Sequence, residues 1–373
     1  MKLRPFALER YFARREFSTE LLLCCSDCES MSVAELLSLE PGAEERLRGL
    51  RLGYTESAGA ESLRAAISAL YETIPAEAVL VHAGAEEAIF LTMHAALEPG
   101  DHLVVHWPCY QSLFEVARSI GCEVTPWRGR EEAGWAPDLA ELAGLLKKST
   151  RMIVLNSPHN PTGYHAPAEV FLAVVRLAEE RGITLFSDEV YRGSEYRPQD
   201  RLPAACDASP TAVSLGVLSK TYGLPGLRIG WLATRAKALL ARVAALKDYT
   251  TICASAPSEL LAEVALQHAE TLAGRSRRII AENLGLLDDF FQRRREVMRW
   301  QRPAAGPIAF PRLLSGDVDA FCEEAADRGG VLLLPGSVYG DTEGHFRIGF
   351  GRQNLPAALQ RLEGFLDGRF SPS

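Results

Sequence analysis

Lys220 closes an apolar run, SLGVLS (214–219), and is followed by TYGLPGLRIGW (221–231), with three glycines, a proline and Arg228. A lysine that only solubilises a surface needs no such setting. A phosphate-binding P-loop requires G-x-x-x-x-G-K-[ST]. Lys220-Thr221 supplies the last pair, but Ser219 stands at the glycine position and no glycine lies five residues before it. A Schiff-base lysine has to spend time as the neutral amine, which desolvation or nearby positive charge secures. Arg228 brings that charge and a fork of donors suited to phosphate, while Gly223, Gly226 and Gly230 let main chain approach a ligand closely. A lysine that condenses with an aldehyde, beside a phosphate-gripping arginine, matches pyridoxal 5′-phosphate (PLP). On this segment alone, a structural lysine in a tight turn is the other reading.

Further segments bear on that choice. SDEVYRG (187–193) ends a strand-like run with Asp188 and Tyr191. A carboxylate at a strand's C-terminal end sits where α/β sheets bind ligands, and a PLP ring needs an anion opposite its nitrogen to act as electron sink. A helix N-cap aspartate is the plainer alternative. NSPHNPTG (156–163) fixes Asn160 in a proline-rich turn, where its amide can donate to a cofactor's phenolic oxygen; an ordinary turn has the same composition. In HAGAEEAIFL (82–91), Gly84 and Ala85 stand at a strand-to-helix junction, where free amides cradle phosphate. Tyr110, in WPCYQSLFE (107–115), offers a ring to a flat cofactor, or belongs to core or rim. Arg347, inside the apolar run HFRIGFG (345–351), needs a partner if buried. Either an internal salt bridge or a substrate carboxylate satisfies it.

These residues must be held by elements. Seven runs read as strands: 78–84, 102–108, 122–127, 151–158, 183–190, 212–219 and 228–234. Their continuous, β-branched apolar character suits strands buried on both faces. Helical patterns fall at 86–97, 111–120, 166–181 and 236–247, so strands alternate with helices as in a mostly parallel α/β sheet. A long amphipathic helix is expected over 275–300, followed by short strands in 306–313, 331–336 and 345–351. The expected architecture is a large domain over 46–270 and a smaller α+β domain formed by 1–45 and 271–373.

The 373 residues suit two domains. A formal charge of −8 argues against a nucleic-acid partner. No apolar run approaches the ~18–20 residues of a membrane span, and the N-terminus lacks a signal-peptide core, which points to a cytoplasmic protein. The cluster Cys24, Cys25 and Cys28 lacks the second CxxC or HxxxH that a structural metal site needs. It reads as reduced thiols in a packed or cleft-lining segment, with no metal.

In this order, N-P-T-G, S-D-E-V-Y and S-K-T-Y-G-L-P-G-L-R-I-G-W resemble the fold-type I, class I/II PLP-dependent aminotransferases. The resemblance runs from YTESAGAESLRAAISALY (54–71) to HFRIGFG. It implies an aspartate aminotransferase-like α/β fold and transfer of an amino group from an amino acid to a 2-keto acid. It further implies that Lys220 forms the Schiff base and acts on protons, Asp188 pairs with the ring nitrogen, and Asn160 and Tyr191 face the phenolic oxygen. Tyr110 would stack on the ring; Gly84, Ala85, Glu86, Ser219 and Arg228 would lie at the phosphate. Tyr54 would reach the phosphate of a neighbouring subunit, implying a homodimer with shared sites, and Arg347, with Asn160, would hold the substrate's carboxylate.

Two departures stand out. Val217 occupies a position where many relatives carry serine, and LLLCCSDCESMSVAELL (21–37) replaces the usual glycine-containing segment over the substrate. A narrower likeness, to capreomycidine synthases, rests on ERYF (9–12), KDYTT (247–251), AFPR (309–312) and LPGSVYG (334–340). It keeps PLP-dependent β-elimination or cyclisation open, and a non-catalytic PLP-binding regulator is a further alternative. Trp127, Trp231, Tyr249 and the cysteine segment are candidates to line the side-chain pocket.

Overall fold

The computed structural model describes residues 2–341 and 343–370. Seven strands form one mixed sheet, in the order Val79–His82, Gly230–Ala233, Val213–Val217, Thr184–Asp188, Thr150–Asn156, His102–Trp107, Glu123–Arg128. All seven expected strands are present. Six run the same way; Gly230–Ala233 runs against both neighbours. The inner strands are buried along nearly their whole length, as their unbroken apolar runs require.

Helices cover both faces. Ala85–Ala96, Ser112–Ile120 and Lys237–Lys247 pack on one side through Ile89, Leu113 and Val243. Ala168–Glu180 contributes Phe171 and Val174 to one cluster of the other face, and Glu61–Ser68 and Ala256–Gln267 build the next.

The long helix spans Ala269–Arg293 rather than 275–300. It begins where His268 leaves helical geometry after Ala256–Gln267. It stops because Met298–Arg299 is taken into a ladder with Arg312–Leu313. Phe310 and Pro311 separate that ladder from a second one, Ile308–Ala309 on Phe346–Gly349. Helices Val318–Gly329 and Leu355–Phe370 close a cluster around Phe321, Phe346 and Leu362. The N-terminal segment joins this part: Leu21–Leu22 pairs in parallel with Val331–Leu332.

Candidate active site

The parallel strands end on one edge of the sheet, and a cavity of about 340 Å³ opens there. Asp188 ends its strand; Lys220 follows Val213–Val217; Asn160 and Tyr110 follow Thr150–Asn156 and His102–Trp107; Ala85 and Glu86 follow Val79–His82. Arg228 arrives at the same edge for the opposite reason. It precedes the one reversed strand, whose beginning lies where the others end. A closed loop therefore carries both Lys220 and Arg228, tied at its base by Leu218 N–H donating to the Ile229 carbonyl at 3.1 Å.

The phosphate end is built by crowding. Gly84 has φ +88°, and a Cβ there would stand 2.5 Å from Arg228 Nη2. A Cβ at Gly230 would lie 2.9 Å from the Ala85 nitrogen. Only glycine at both places lets the guanidinium sit over the amides that start helix Ala85–Ala96. Glu86 turns its side chain aside to accept from Ser112 at 3.2 Å, so its main chain is what it offers an anion. Of the three glycines near Lys220, Gly223 and Gly230 meet protein main chain, and Gly226 faces open space.

Asp188 is buried, and burial pushes its carboxyl up to about 7. It accepts from Val190 N–H at 3.2 Å, and no cation pairs with it among the described residues. Tyr191 is 1 % exposed; its hydroxyl makes no well-formed hydrogen bond among the described residues, with Ser26 as a weak polar neighbour. Lys220 is depressed from the ordinary lysine range, mainly by burial, and donates to Ser26 Oγ at 2.9 Å. Asn156, which the sequence reading passed over, fixes the turn: its Oδ1 accepts from Asn160 N–H at 2.7 Å and its Nδ2 donates to the Asp188 carbonyl at 3.0 Å. An asparagine ending a buried strand just before a proline turn was the available signal.

Arg347 is 1 % exposed and carries no salt bridge among the described residues. Nε and Nη2 donate to the Cys24 carbonyl at 3.1 and 2.8 Å; Nη1 donates to Asn160 Oδ1 at 3.2 Å and to the Tyr339 hydroxyl. Tyr339 also donates to Asn160 Oδ1 at 3.1 Å. Tyr339, Ser26 and the pair in which Arg352 Nη2 donates to both carboxylate oxygens of Asp27, at 3.0 and 2.9 Å, are parts that sequence reasoning missed. Ser26 lies 194 residues from Lys220, Asp27 lies 325 from Arg352 and Tyr339 lies 179 from Asn160, beyond any local pattern, though Tyr339 is only 8 from Arg347.

The structure thus brings Lys220, Asp188, Tyr191, Asn160, Tyr110, Ala85, Glu86, Ser219, Arg228 and Arg347 onto one cavity, with Gly84 at its edge. Tyr54 stands apart, 90 % exposed, and Leu52 and Tyr249 are exposed as well. Three pocket candidates, Trp127, Trp231 and Tyr249, do not reach the cavity. Trp127 is buried and donates to the Asp138 carbonyl, and Trp231 donates to Tyr71. Each strand alternates its side chains between faces, so a large aromatic within a strand fills a helix–sheet layer instead. Tyr249 lies at the surface, while Cys25 of the cysteine segment does line the cavity.

The model of the family "Aminotransferase class I and II" matches residues 23–362. Capreomycidine synthase of Streptomyces vinaceus is 32% identical over 358 residues, covering 92% of this chain and 88% of that protein. The structure of a PLP-dependent aminotransferase from Streptococcus suis superposes with a TM-score of 0.93 at 32% identity, covering 100% of both chains. That of the PLP-dependent cyclase OrfR superposes with a TM-score of 0.90 at 33% identity, covering 99% of this chain and 98% of that one.

Proposed function

The chain belongs to the aminotransferase class I and II family, and on that premise we propose that it transfers an amino group from an amino acid to a 2-keto acid at the cavity around Lys220. Its fold is aspartate aminotransferase-like and it is a PLP-dependent enzyme. The residues present fit that cofactor. A carboxyl that burial pushes up to about 7, a buried phenol with no well-formed hydrogen bond and a glycine cradle under a guanidinium suit a cationic ring and a phosphate.

In this reading Asp188 holds the ring nitrogen, and Asn160 and Tyr191 hold the phenolic oxygen. Tyr110 lies along the ring, and Ala85, Glu86 main chain, Ser219 and Arg228 hold the phosphate. When bound, PLP supplies an aldehyde for the substrate's amine and a protonated ring that accepts the electron pair left at Cα. Arg347, held in place by Cys24, Asn160 and Tyr339, takes the substrate carboxylate with its planar fork. Lys220, whose burial favours the neutral amine, takes the proton from Cα. Where Lys220 returns that proton decides between amino-group transfer and loss of a β-substituent. Ser26 receives the lysine amine between turnovers, and helix Ala7–Arg15 covers the mouth and excludes water.

The observation that carries the reading is Arg347. A buried guanidinium with no anion, in one cavity with Lys220 and Asp188, is placed for a carboxylate from outside. Two further elements belong to the proposal. Exposed Tyr54, Leu52 and Tyr249 form a face for a second copy, through which Tyr54 of the partner subunit completes the phosphate site. Separate apolar clusters in the sheet and around Phe321 support a division into 46–270 and 1–45 with 271–373, although Leu36 and Ala43 pack with Leu63 and Trp231 on the sheet side. A cytoplasmic location suits a chain whose described helices include none long and apolar enough to cross a membrane.

The likeness to a named synthase and a cyclase keeps one second reading, elimination followed by ring closure. Single-turnover reaction of the holoenzyme with an amino-acid panel separates the two. Stoichiometric keto acid with no ammonia is expected; ammonia release or a cyclised product without keto acid would replace transfer by elimination.

A further inference from the structure

The strap formed by residues 24–28 presents one hydroxyl to the reactive amine. Lys220 has a single hydrogen-bond partner among the described residues, Ser26 Oγ at 2.9 Å. The carboxylates whose charge acts on the lysine are committed elsewhere. Asp27 accepts from Arg352 with both oxygens, and Asp188 faces the ring nitrogen in the reading above. Ser26 is held from both sides. Gly349 N–H donates to the Leu23 carbonyl at 2.9 Å, and Glu29 N–H donates to the Gly351 carbonyl at 2.8 Å. The Glu29 carbonyl in turn stands against Gly223 of the lysine's own loop, where a Cβ would meet it at 2.5 Å. Strap and loop are seated on each other, which fixes the serine main chain beside the amine.

The type of group matters here. A base is neutral before it acts and positively charged afterwards. A carboxylate in place of Ser26 would hold the lysine as an ammonium ion and stop it from accepting a proton. An apolar group would leave the new ion without a partner in a buried site. A hydroxyl does neither. Its oxygen accepts an N–H from the neutral amine, and accepts it more strongly once the nitrogen is charged. Its own proton also has a destination. The Tyr191 hydroxyl is the other polar neighbour of Ser26 and makes no well-formed hydrogen bond among the described residues. With the serine proton turned toward Tyr191, the lone pair of the lysine nitrogen is left free for the substrate.

We propose that Ser26 is a further catalytic residue, which accepts a hydrogen bond from Lys220 as that amine removes the proton from substrate Cα, and so stabilises the ammonium ion where it forms. In that step the Cα–H bond breaks, its electron pair stays with the substrate and its attached cofactor, and a third N–H bond turns the neutral amine into an ammonium ion. Lys220, Ser26 and Tyr191 then form one directed chain that leads toward the cofactor's phenolic oxygen. The proposal rests on the reading of Lys220 as the base, and it holds whether transfer or elimination follows.

The test has two independent readouts. The first uses the cofactor-free protein: the pH dependence of Lys220 acylation by acetic anhydride, followed by peptide mass spectrometry, reports when that amine is neutral. In Ser26→Ala its midpoint should fall by about one pH unit, the worth of one hydrogen bond to a charged group. In Ser26→Thr, which keeps the hydroxyl, it should stay near that of the unaltered protein. The second uses the holoenzyme: exchange of the substrate α-proton with deuterated water, followed by NMR on the amino acid of a panel that exchanges fastest. Ser26→Ala should slow exchange by about 10–100-fold with KM changing less than about threefold, and Ser26→Thr should restore most of the rate. Retention of the cofactor's absorbance shows that each variant is folded.

Undiminished exchange in Ser26→Ala, an unmoved acylation midpoint, a rise in KM with kcat unchanged, or equal losses in Ser26→Ala and Ser26→Thr each overturn the assignment while leaving amino-group transfer standing. If exchange slows in Ser26→Ala but no amino acid yields a keto acid, the reaction is wrong and the catalytic serine is right. Normal exchange in Lys220→Ala removes the base itself, and the role of Ser26 falls with it.

Discussion

Asp188 reports its own need for a partner. In the cofactor-free protein it keeps its proton up to about pH 7, whereas in an unfolded chain an aspartate loses it near ~4. Between those values the folded state holds the extra proton, so stability declines as pH rises from about 4 to about 7 and stays lower above. In Asp188→Asn the amide oxygen still accepts from Val190 N–H, and nothing ionises. Cofactor-free Asp188→Asn should therefore melt roughly 3–10 °C above cofactor-free wild type at pH 8, the gap closing below about pH 5. Differential scanning calorimetry across that range checks it; a gap that widens toward acid pH would contradict the assigned shift. PLP, by placing a cation against Asp188, should erase most of the difference in the wild type.

At the level of elements, the site is a set of strand ends, and strand ends were readable. Continuous runs such as RMIVLN and TLFSD announce strands buried on two faces, and polar residues just beyond them, Asn160, Asp188 and Lys220, fall on the ligand edge. The cysteine segment was legible as a lining of the cleft, but the path that brings the strap from Cys24 to Cys28 there was not. Its residues reach the cavity only because Leu21–Leu22 joins Val331–Leu332 and the strap then presses on Phe346–Gly349. A Cβ at Gly349 would fall 1.6 Å from the Cys25 carbonyl carbon's oxygen, so main chain and main chain touch. Gly349→Ala should displace the strap and with it the Cys24 carbonyl behind Arg347. The expected outcome is a rise in substrate KM of about 10–100-fold, larger than any loss of cofactor affinity, because the phosphate end lies on the other side of the cavity. Parallel titrations of PLP and of substrate measure the two separately. The two misplaced tryptophans teach the converse lesson: side-chain size marks burial, and burial against a helix looks the same in sequence as burial against a ligand.

For the whole molecule, the proposed second copy has a direct genetic test. In a dimer with shared sites, a chain carrying Lys220→Ala and a chain carrying Tyr54→Ala fail at different places. Their heterodimer contains one site with the lysine of one chain and Tyr54 of the partner subunit, both intact. Co-expressed chains should exceed the mean activity of the two parent homodimers, in proportion to heterodimer content determined by mass spectrometry. Activity no higher than that mean would mean that each site is complete within its own chain. The strap has a molecule-wide consequence as well. Lys220 receives the Ser26 hydroxyl from a part of the chain that is itself seated by residues 331–349, so the beginning and the end of the polypeptide must meet before the catalytic amine has its neighbour. Assembly of the sheet alone leaves that amine without the Ser26 hydroxyl, so a growing chain holds a half-made site until residues 331–349 have folded against the strap.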